Sequence, residues 1–199
     1  MANHVSAYLS VRNISEEGQK VWDDYVVGTL EKSKKLNSYE VHLGHFLFEC
    51  NRETGEFIDW DFNTMCEEVG AKWAYATDWD ECGVSTYSAW SPVIEWAQTV
   101  AQKIGKVDPE VSLVLTYEDE FPNFVGVSTF DKDGLDTDNA IDWDDMSRII
   151  RDNEEDLAKL WNEDEEEYTD EDAAYDILSD VQWDYINDWQ SANEEWSIK

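Results

Sequence analysis

Five aspartates near the end of this 199-residue chain, Asp172, Asp176, Asp180, Asp184 and Asp188, follow one another at intervals of four residues. On an α-helix that spacing gathers them into one slowly rotating stripe of carboxylates, about 24 Å long at about 1.5 Å per residue. Like charges at i,i+4 repel by a few tenths of a kcal/mol per pair, so folding gains nothing from the row. Its chemistry is ion pairing with the Lys and Arg of another molecule, and a surface built to grip phosphates could read it. Duplex DNA shows one charge per about 1.7 Å of axis, whereas the stripe offers one per about 6 Å, so the stripe alone is too sparse to copy it. A phosphate-like surface therefore needs Asp142, Asp144, Asp145, Glu154, Glu155, Glu163, Glu165, Glu166 and Glu167 as well. The plain alternative is a solvated helix face.

Other constellations carry less. His42 and His45, with Cys50, suggest a metal, but residues three apart on a strand face opposite ways, and zinc needs about four convergent ligands. Asp131, Asp133, Asp136 and Asp138 suggest a calcium loop. Counted from Asp131, the position that needs glycine is Asp136 and the one that needs glutamate is Asp142, so the pattern fails. No G-x-S-x-G, P-loop or G-x-G-x-x-G occurs, and no Ser or Cys has a His partner nearby in sequence. The expectation is a chain that is not an enzyme, with no catalytic residue, no metal and no cofactor.

What positions the carboxylates is a folded body. The formal charge is −33, from 47 acids and 14 bases, yet 42% of the residues are hydrophobic and eleven are Trp. So much apolar material supports a core, and the charge is worn at a cost in self-repulsion. It also excludes general affinity for nucleic acid or anionic membrane and points to a basic partner. The start has no signal-peptide pattern, no run reaches the length of a membrane span, and three cysteines without CxxC spacing suit a reducing compartment; a cytoplasmic protein is expected.

The charge is unevenly spread. Residues 1–130 hold 22 acids and 9 bases, residues 131–199 hold 25 and 5, and the step marks a domain boundary near Phe130. Before it, strand and helix alternate. Ala7–Asn13 reads as a strand. Asn13 then stands three residues before Glu16, and Val21, Trp22, Tyr25, Val26 and Leu30 follow at helical spacing. Tyr39–Phe48 reads as a second strand, Lys72–Thr77 and Val84–Ala89 as a hairpin, with Trp73, Trp90 and Trp96 in elements that need a core. Ser91 and Pro92 open a helix, as cap and first residue. Val111–Tyr117 and Phe124–Phe130 form a second hairpin. The order gives an α+β sandwich, a mostly antiparallel sheet with two helices on one face. After the boundary the chain turns helical, with an apolar stripe from Met146 to Trp161, a charged loop or helix end at Glu163–Glu167, and a capping box of Thr169 with Asp172. Ala174, Ile177, Leu178, Val181, Tyr185 and Trp189 make a seam that leaves the five aspartates outside it. Trp183, Trp189 and Trp196 suit either core or interface.

Three segments, Gly70-Ala71-Lys72-Trp73, Ser88-Ala89-Trp90-Ser91-Pro92, and Tyr117-Glu118-Asp119 with Phe124 and Gly126, resemble in this order the YubB-type ferredoxin-like domain of phage and plasmid proteins. The resemblance covers roughly residues 2–130, with Val93 where that family usually has a second proline, and the acidic tail lies outside it. It implies a ferredoxin-like split βαβ sandwich for residues 1–130 and phage or plasmid origin, and it implies no catalytic residues.

Two functions follow as expectations. The first is a phage-encoded, non-enzymatic, DNA-mimic-like inhibitor that blocks a host DNA- or RNA-handling defence protein, such as a restriction enzyme, nuclease or DNA-modifying toxin. It would not itself bind nucleic acid or membrane, and it could act as monomer or homodimer. The second is an assembly module whose acidic tail, residues 131–199, serves solubility while the sandwich binds.

Overall fold

The computed structural model describes residues 3–36, 41–51, 53–54, 56–120, 123–142 and 154–193, apart from the side chains of 182, 185, 186 and 189–193. The chain is α+β, built on a seven-stranded antiparallel sheet in the order β2-β3-β4-β1-β5-β6-β7. Its strands are β1 (His4–Asn13), β2 (Val41–His42), β3 (Ala74–Trp79), β4 (Gly83–Ala89), β5 (Ser112–Asp119), β6 (Phe124–Asp131) and β7 (Gly134–Asp142). Strand β1 sits in the middle, pairing with β4 on one side and β5 on the other.

Alternation along β1 decides which way the sheet faces. Val5, Ala7 and Leu9 are buried with Val84 of β4 and Leu113, Leu115 and Tyr117 of β5. Successive side chains point to opposite faces, so this is one apolar face. A helical stretch covers it: α1 (Glu16–Val21), a π-helical segment (Trp22–Val27) and α2 (Gly28–Leu36), followed later by α4 (Ile94–Gly105). Trp22, Val26 and Leu30 from the first stretch and Trp96, Val100 and Ile104 from α4 complete the main core.

The opposite face is covered at its β6–β7 end by the last elements. These are α5 (Glu155–Leu160), the short hairpin β8 (Trp161–Asn162) with β9 (Glu167–Tyr168), and α6 (Glu171–Asn193). Leu157, Ala174 and Leu178 pack with Val125, which pairs across the ladder with Ile141. The two long helical stretches of residues 1–130 share one face of the sheet, as the sequence predicts, and the last elements pack on the other.

Several local expectations change. The sheet runs on through β7, so the step in charge near Phe130 falls inside the β6–β7 hairpin, whose turn is Lys132 and Asp133. Asp131, Asp133, Asp136 and Asp138, read as a loop, belong to that hairpin. Of the predicted strand Tyr39–Phe48, residues 39 and 40 lie outside the described residues, and past His42 it gives way: the His42 imidazole accepts from the Gly44 N–H at 2.9 Å and starts a 3-10 turn, Leu43–Phe46. Such side-chain caps compete with a ladder. A helix absent from the sequence reading, α3 (Phe62–Val69), is capped by Asp61, which accepts from the Thr64 N–H at 2.7 Å, and is stopped by Gly70 at φ 90°. The last helix is capped by Asp170, whose carboxylate accepts from the Ala173 N–H, whereas the predicted cap Thr169 donates to the Leu160 carbonyl. Likewise Ser91 does not cap α4; it donates to the Gly70 carbonyl at 2.6 Å, and the helix begins at Ile94. Residues 143–153, part of the predicted stripe from Met146 to Trp161, lie outside the described residues.

Candidate functional site

The anchoring of α6 sets what its carboxylates can do. Ala174 and Leu178 are buried and Ile177 and Val181 half-buried, so one face of the helix is docked through a thin apolar seam. Burying a leucine side chain contributes roughly 1.5–3 kcal/mol, enough to hold the helix against the repulsion along its acidic row. Asp172, Asp176, Asp180, Asp184 and Asp188 are all exposed. Glu154 and Glu155 start α5, Glu163, Glu165 and Glu166 occupy the β8–β9 turn, Glu167 opens β9 and Asp142 ends β7; all are exposed as well. Because α5, Tyr168 of β9, α6 and Ile141 share one small core, these acids ride on a single lobe. Asp144 and Asp145 lie outside the described residues, as do the side chains of Tyr185 and Trp189 and all of Trp196.

Beside α6 the sheet face on which it packs is largely polar, exposed at Ser6 and Tyr8 and buried further along at Ser10, Val114, Thr116 and Val127. His4, Ser6 and Tyr8 of β1, Ser85 and Tyr87 of β4, and Thr116 and Glu118 of β5 lie on it, on the side of the ladder opposite Val5, Ala7 and Leu9. Between this face and α6 run two adjoining hollows of about 450 and 550 Å³. Both are bordered by Ser6, Tyr87, Glu118 and Trp183, so they form one open groove. The helix supplies its wall through Tyr175, Ser179, Trp183 and Asn187. Glu118 is half-buried, and that burial pushes its carboxyl above the usual range. The next residue, Asp119, turns to the other face, where it accepts from Asn3 and Asn123; burial raises its carboxyl despite those bonds. Sequence reasoning missed the groove, because no motif marks residues that converge only through sheet register.

A second surface feature is aromatic. Trp73 and Trp90, expected in the core, are 44% and 48% exposed, while Trp96 is buried. Their rings lie 5.8 Å apart, and the Lys72 ammonium sits 4.6 and 4.7 Å from the two ring centres. Trp60 and Phe62, an edge-on pair, are also exposed, and Lys72 reaches the Phe62 ring as well. Trp90 takes a left-handed backbone, φ 67°, held by its N–H donating to the Asn3 carbonyl at 3.0 Å. A bulky residue pays about 1–3 kcal/mol for that conformation, so the fold spends energy to keep this ring outside. The segments that carry the family resemblance meet here, through the Ser91–Gly70 bond and the Ala89 N–H donating to the Trp73 carbonyl. The third segment is a packing unit: the Tyr117 ring lies so close over Gly126 that a Cβ there would fall 2.3 Å from it.

His42 packs edge-on to Phe57 and Tyr75, and burial, then the neighbouring His45, lowers its pKa to about 4. Among the described residues no group of three or more His, Cys, Asp or Glu could hold a metal ion, and no helix is long and apolar enough to cross a membrane. Cys50, Cys66 and Cys82 are unpaired. Compared with protein-family models, with curated proteins and with solved structures, the chain matches none.

Proposed function

We propose that this chain is a non-enzymatic acidic inhibitor, phage-encoded and DNA-mimic-like, that occupies the nucleic-acid grip of a host defence protein. The observation that carries the proposal is the exposure of all five aspartates on a helix whose opposite face is docked. Docking fixes the carboxylates relative to one another before a partner arrives, which reduces the ordering cost of binding. With a formal charge of −33, encounter with a basic surface is fast and weakens with salt. The target class is a restriction enzyme, nuclease or DNA-modifying toxin, because each must present cations to phosphates.

The strand order supports the split βαβ part of the proposal. Strands β3, β4, β1 and β5 are neighbours in that order, and the links from β1 to β3 and from β4 to β5 are helical. Two interlocked βαβ units leave that pattern, which suits the resemblance to the YubB-type domain. The test is capture from bacterial lysate with the tagged protein, elution by a salt gradient and competition with duplex DNA. A single nucleic-acid-handling protein, released at moderate salt and displaced by DNA, supports inhibition by mimicry. A partner indifferent to both overturns it.

One observation favours an assembly module instead. The exposed platform of Trp73, Trp90 and Lys72 is an aromatic anchor of the kind that dominates interfaces. On that reading a Trp73→Ala, Trp90→Ala variant loses the partner while neutralising the five aspartates does not.

A further inference from the structure

We propose that the groove between α6 and the polar sheet face receives an arginine side chain of the basic partner. The inference rests on the inhibitor reading and names the residues that complete it. Three observations converge on this occupant.

Three acids line the groove, Glu118, Asp119 and Glu120; Asp119 is held by Asn3 and Asn123 and Glu120 is exposed, which leaves half-buried Glu118 as the carboxylate of the floor. A carboxylate taken partly out of water gains from a cation brought to it, and more so than one on an open surface. The surroundings are aromatic: Tyr87, stacked on His4 with ring centres 4.7 Å apart, lies on the sheet side and Trp183, 53% exposed, on the helix side. Flat rings beside a carboxylate suit a guanidinium, which stacks on aromatic faces and pairs with carboxylates through a rigid fork, better than they suit the compact ammonium of lysine.

The aspartate row gives the groove its charged rim. Each helical residue turns about 100° from the last. Asp176, Asp180, Asp184 and Asp188 therefore stand one step round from Tyr175, Ser179, Trp183 and Asn187, which wall the groove. The docked residues Ala174 and Leu178 lie on the other side of that wall. A cation drawn in by the row passes over the rim to Glu118, so the row supplies attraction and the groove supplies discrimination.

The probe is a neutral-ended tripeptide, acetyl-Gly-Arg-Gly-amide, titrated into the full chain and followed by NMR, with acetyl-Gly-Lys-Gly-amide as a control of equal charge. The expected result is saturable binding of the arginine peptide, with the Trp183 indole and the amides of Ser6, Tyr87 and Glu118 shifting, and weaker binding of the lysine peptide. Glu118→Gln should weaken arginine binding about tenfold, the worth of one charge-assisted bond. Trp183→Ala, at a position 53% exposed, should also weaken it. Equal binding of the two peptides overturns the proposal, as do shifts spread along the five aspartates or a Glu118→Gln variant that binds as tightly as the parent. If Glu118→Gln is silent while neutralising the five aspartates releases the lysate partner, the groove inference falls and the inhibitor reading stands. If arginine binds in the groove but the captured partner ignores salt and DNA, the inhibitor reading falls.

Discussion

The two faces of the sheet are built to different ends. One is closed over a main core that, among the described residues, contains twenty-five buried hydrophobic side chains, including Trp22, Trp96 and Phe130. On the other, four buried residues, Val125, Leu157, Ala174 and Leu178, hold the acidic lobe at one end. Beside α6 that face carries an open groove, while Val114, Thr116 and Val127 on the same face are buried. Stability is concentrated on the first face and charge on the second. Such an arrangement confines self-repulsion to a lobe that can loosen without unfolding the body.

The largest effects should come from emptying the two cores. Trp96→Ala, in the main core, should cost about 3–5 kcal/mol in denaturant unfolding. Leu178→Ala removes less, about 2 kcal/mol or somewhat more, and its effect should be local. Hydrogen exchange should show α6 losing protection while β1, β4 and β5 keep theirs. A Leu178→Ala variant that lowers the sheet's protection as much as α6's would make the two faces a single cooperative unit and end the comparison.

Acid should strain the β2 edge of the second face, where His42 lies in register with Tyr75 and Tyr87. His42 is held neutral, with a pKa near 4 in the fold, against about 6.5 in an unfolded chain. The unfolded chain therefore takes up a proton that the fold refuses. The contribution is complete above about pH 6.5, is lost as pH falls from there towards 4, and is flat below. The loss is at most about 3 kcal/mol. A His42→Asn variant keeps a side-chain cap and does not titrate, so the stability difference between parent and variant should shrink between pH 7 and 4.5. A difference that stays constant would mean that the imidazole titrates normally.

Charge on the second face predicts a gain. Changing Asp172, Asp176, Asp180, Asp184 and Asp188 to Asn removes four like-charge pairs at a few tenths of a kcal/mol each, so the variant should be about 1 kcal/mol more stable at low salt. Raising the salt should erase the gain. A destabilised variant would show that the row has a structural role. The smallest effect belongs to the aromatic platform: Trp73→Ala should change stability by no more than about 1 kcal/mol, the worth of an exposed cation–π contact. A loss of several kcal/mol would return Trp73 to the core, where its aromatic character alone would place it.

Much of the first face was legible in the sequence because its elements obey local rules. The alternation in Ala7–Asn13 and Val111–Tyr117 and the helical spacing from Val21 to Leu30 each satisfy one period. The docked seam of α6 was legible for the same reason, since Ala174, Ile177, Leu178 and Val181 repeat at helical intervals. What escaped depends on competition or on register. His42 and Ser91 spend side-chain bonds locally, on Gly44 and Gly70, and so cut short a strand and delay a helix. Helix α3 carried its own signals, Asp61 as cap and Gly70 as stop, in a segment too short for periodicity to reveal. Acidic β7 looks like a loop by composition, because polar residues such as Asp136, Thr137 and Asp138 leave no apolar alternation to read. The platform inverted an expectation: Trp73 and Trp90 lie just outside the strands that flank them, and the left-handed turn at Trp90 sends its ring outward. The groove could not be seen at all, since Ser6, Tyr87, Glu118 and Trp183 meet only once the strands are paired.

The central claim is that a DNA-gripping surface reads the aspartate row, and one measurement addresses it directly. The affinity of the captured partner is followed across a salt series for the parent chain and for the variant with all five aspartates changed to Asn. The account predicts that the variant binds more weakly and that its dependence on salt is shallower, because fewer ion pairs form. Equal affinity and equal slope for the two proteins would contradict it and leave the row a solvated helix face.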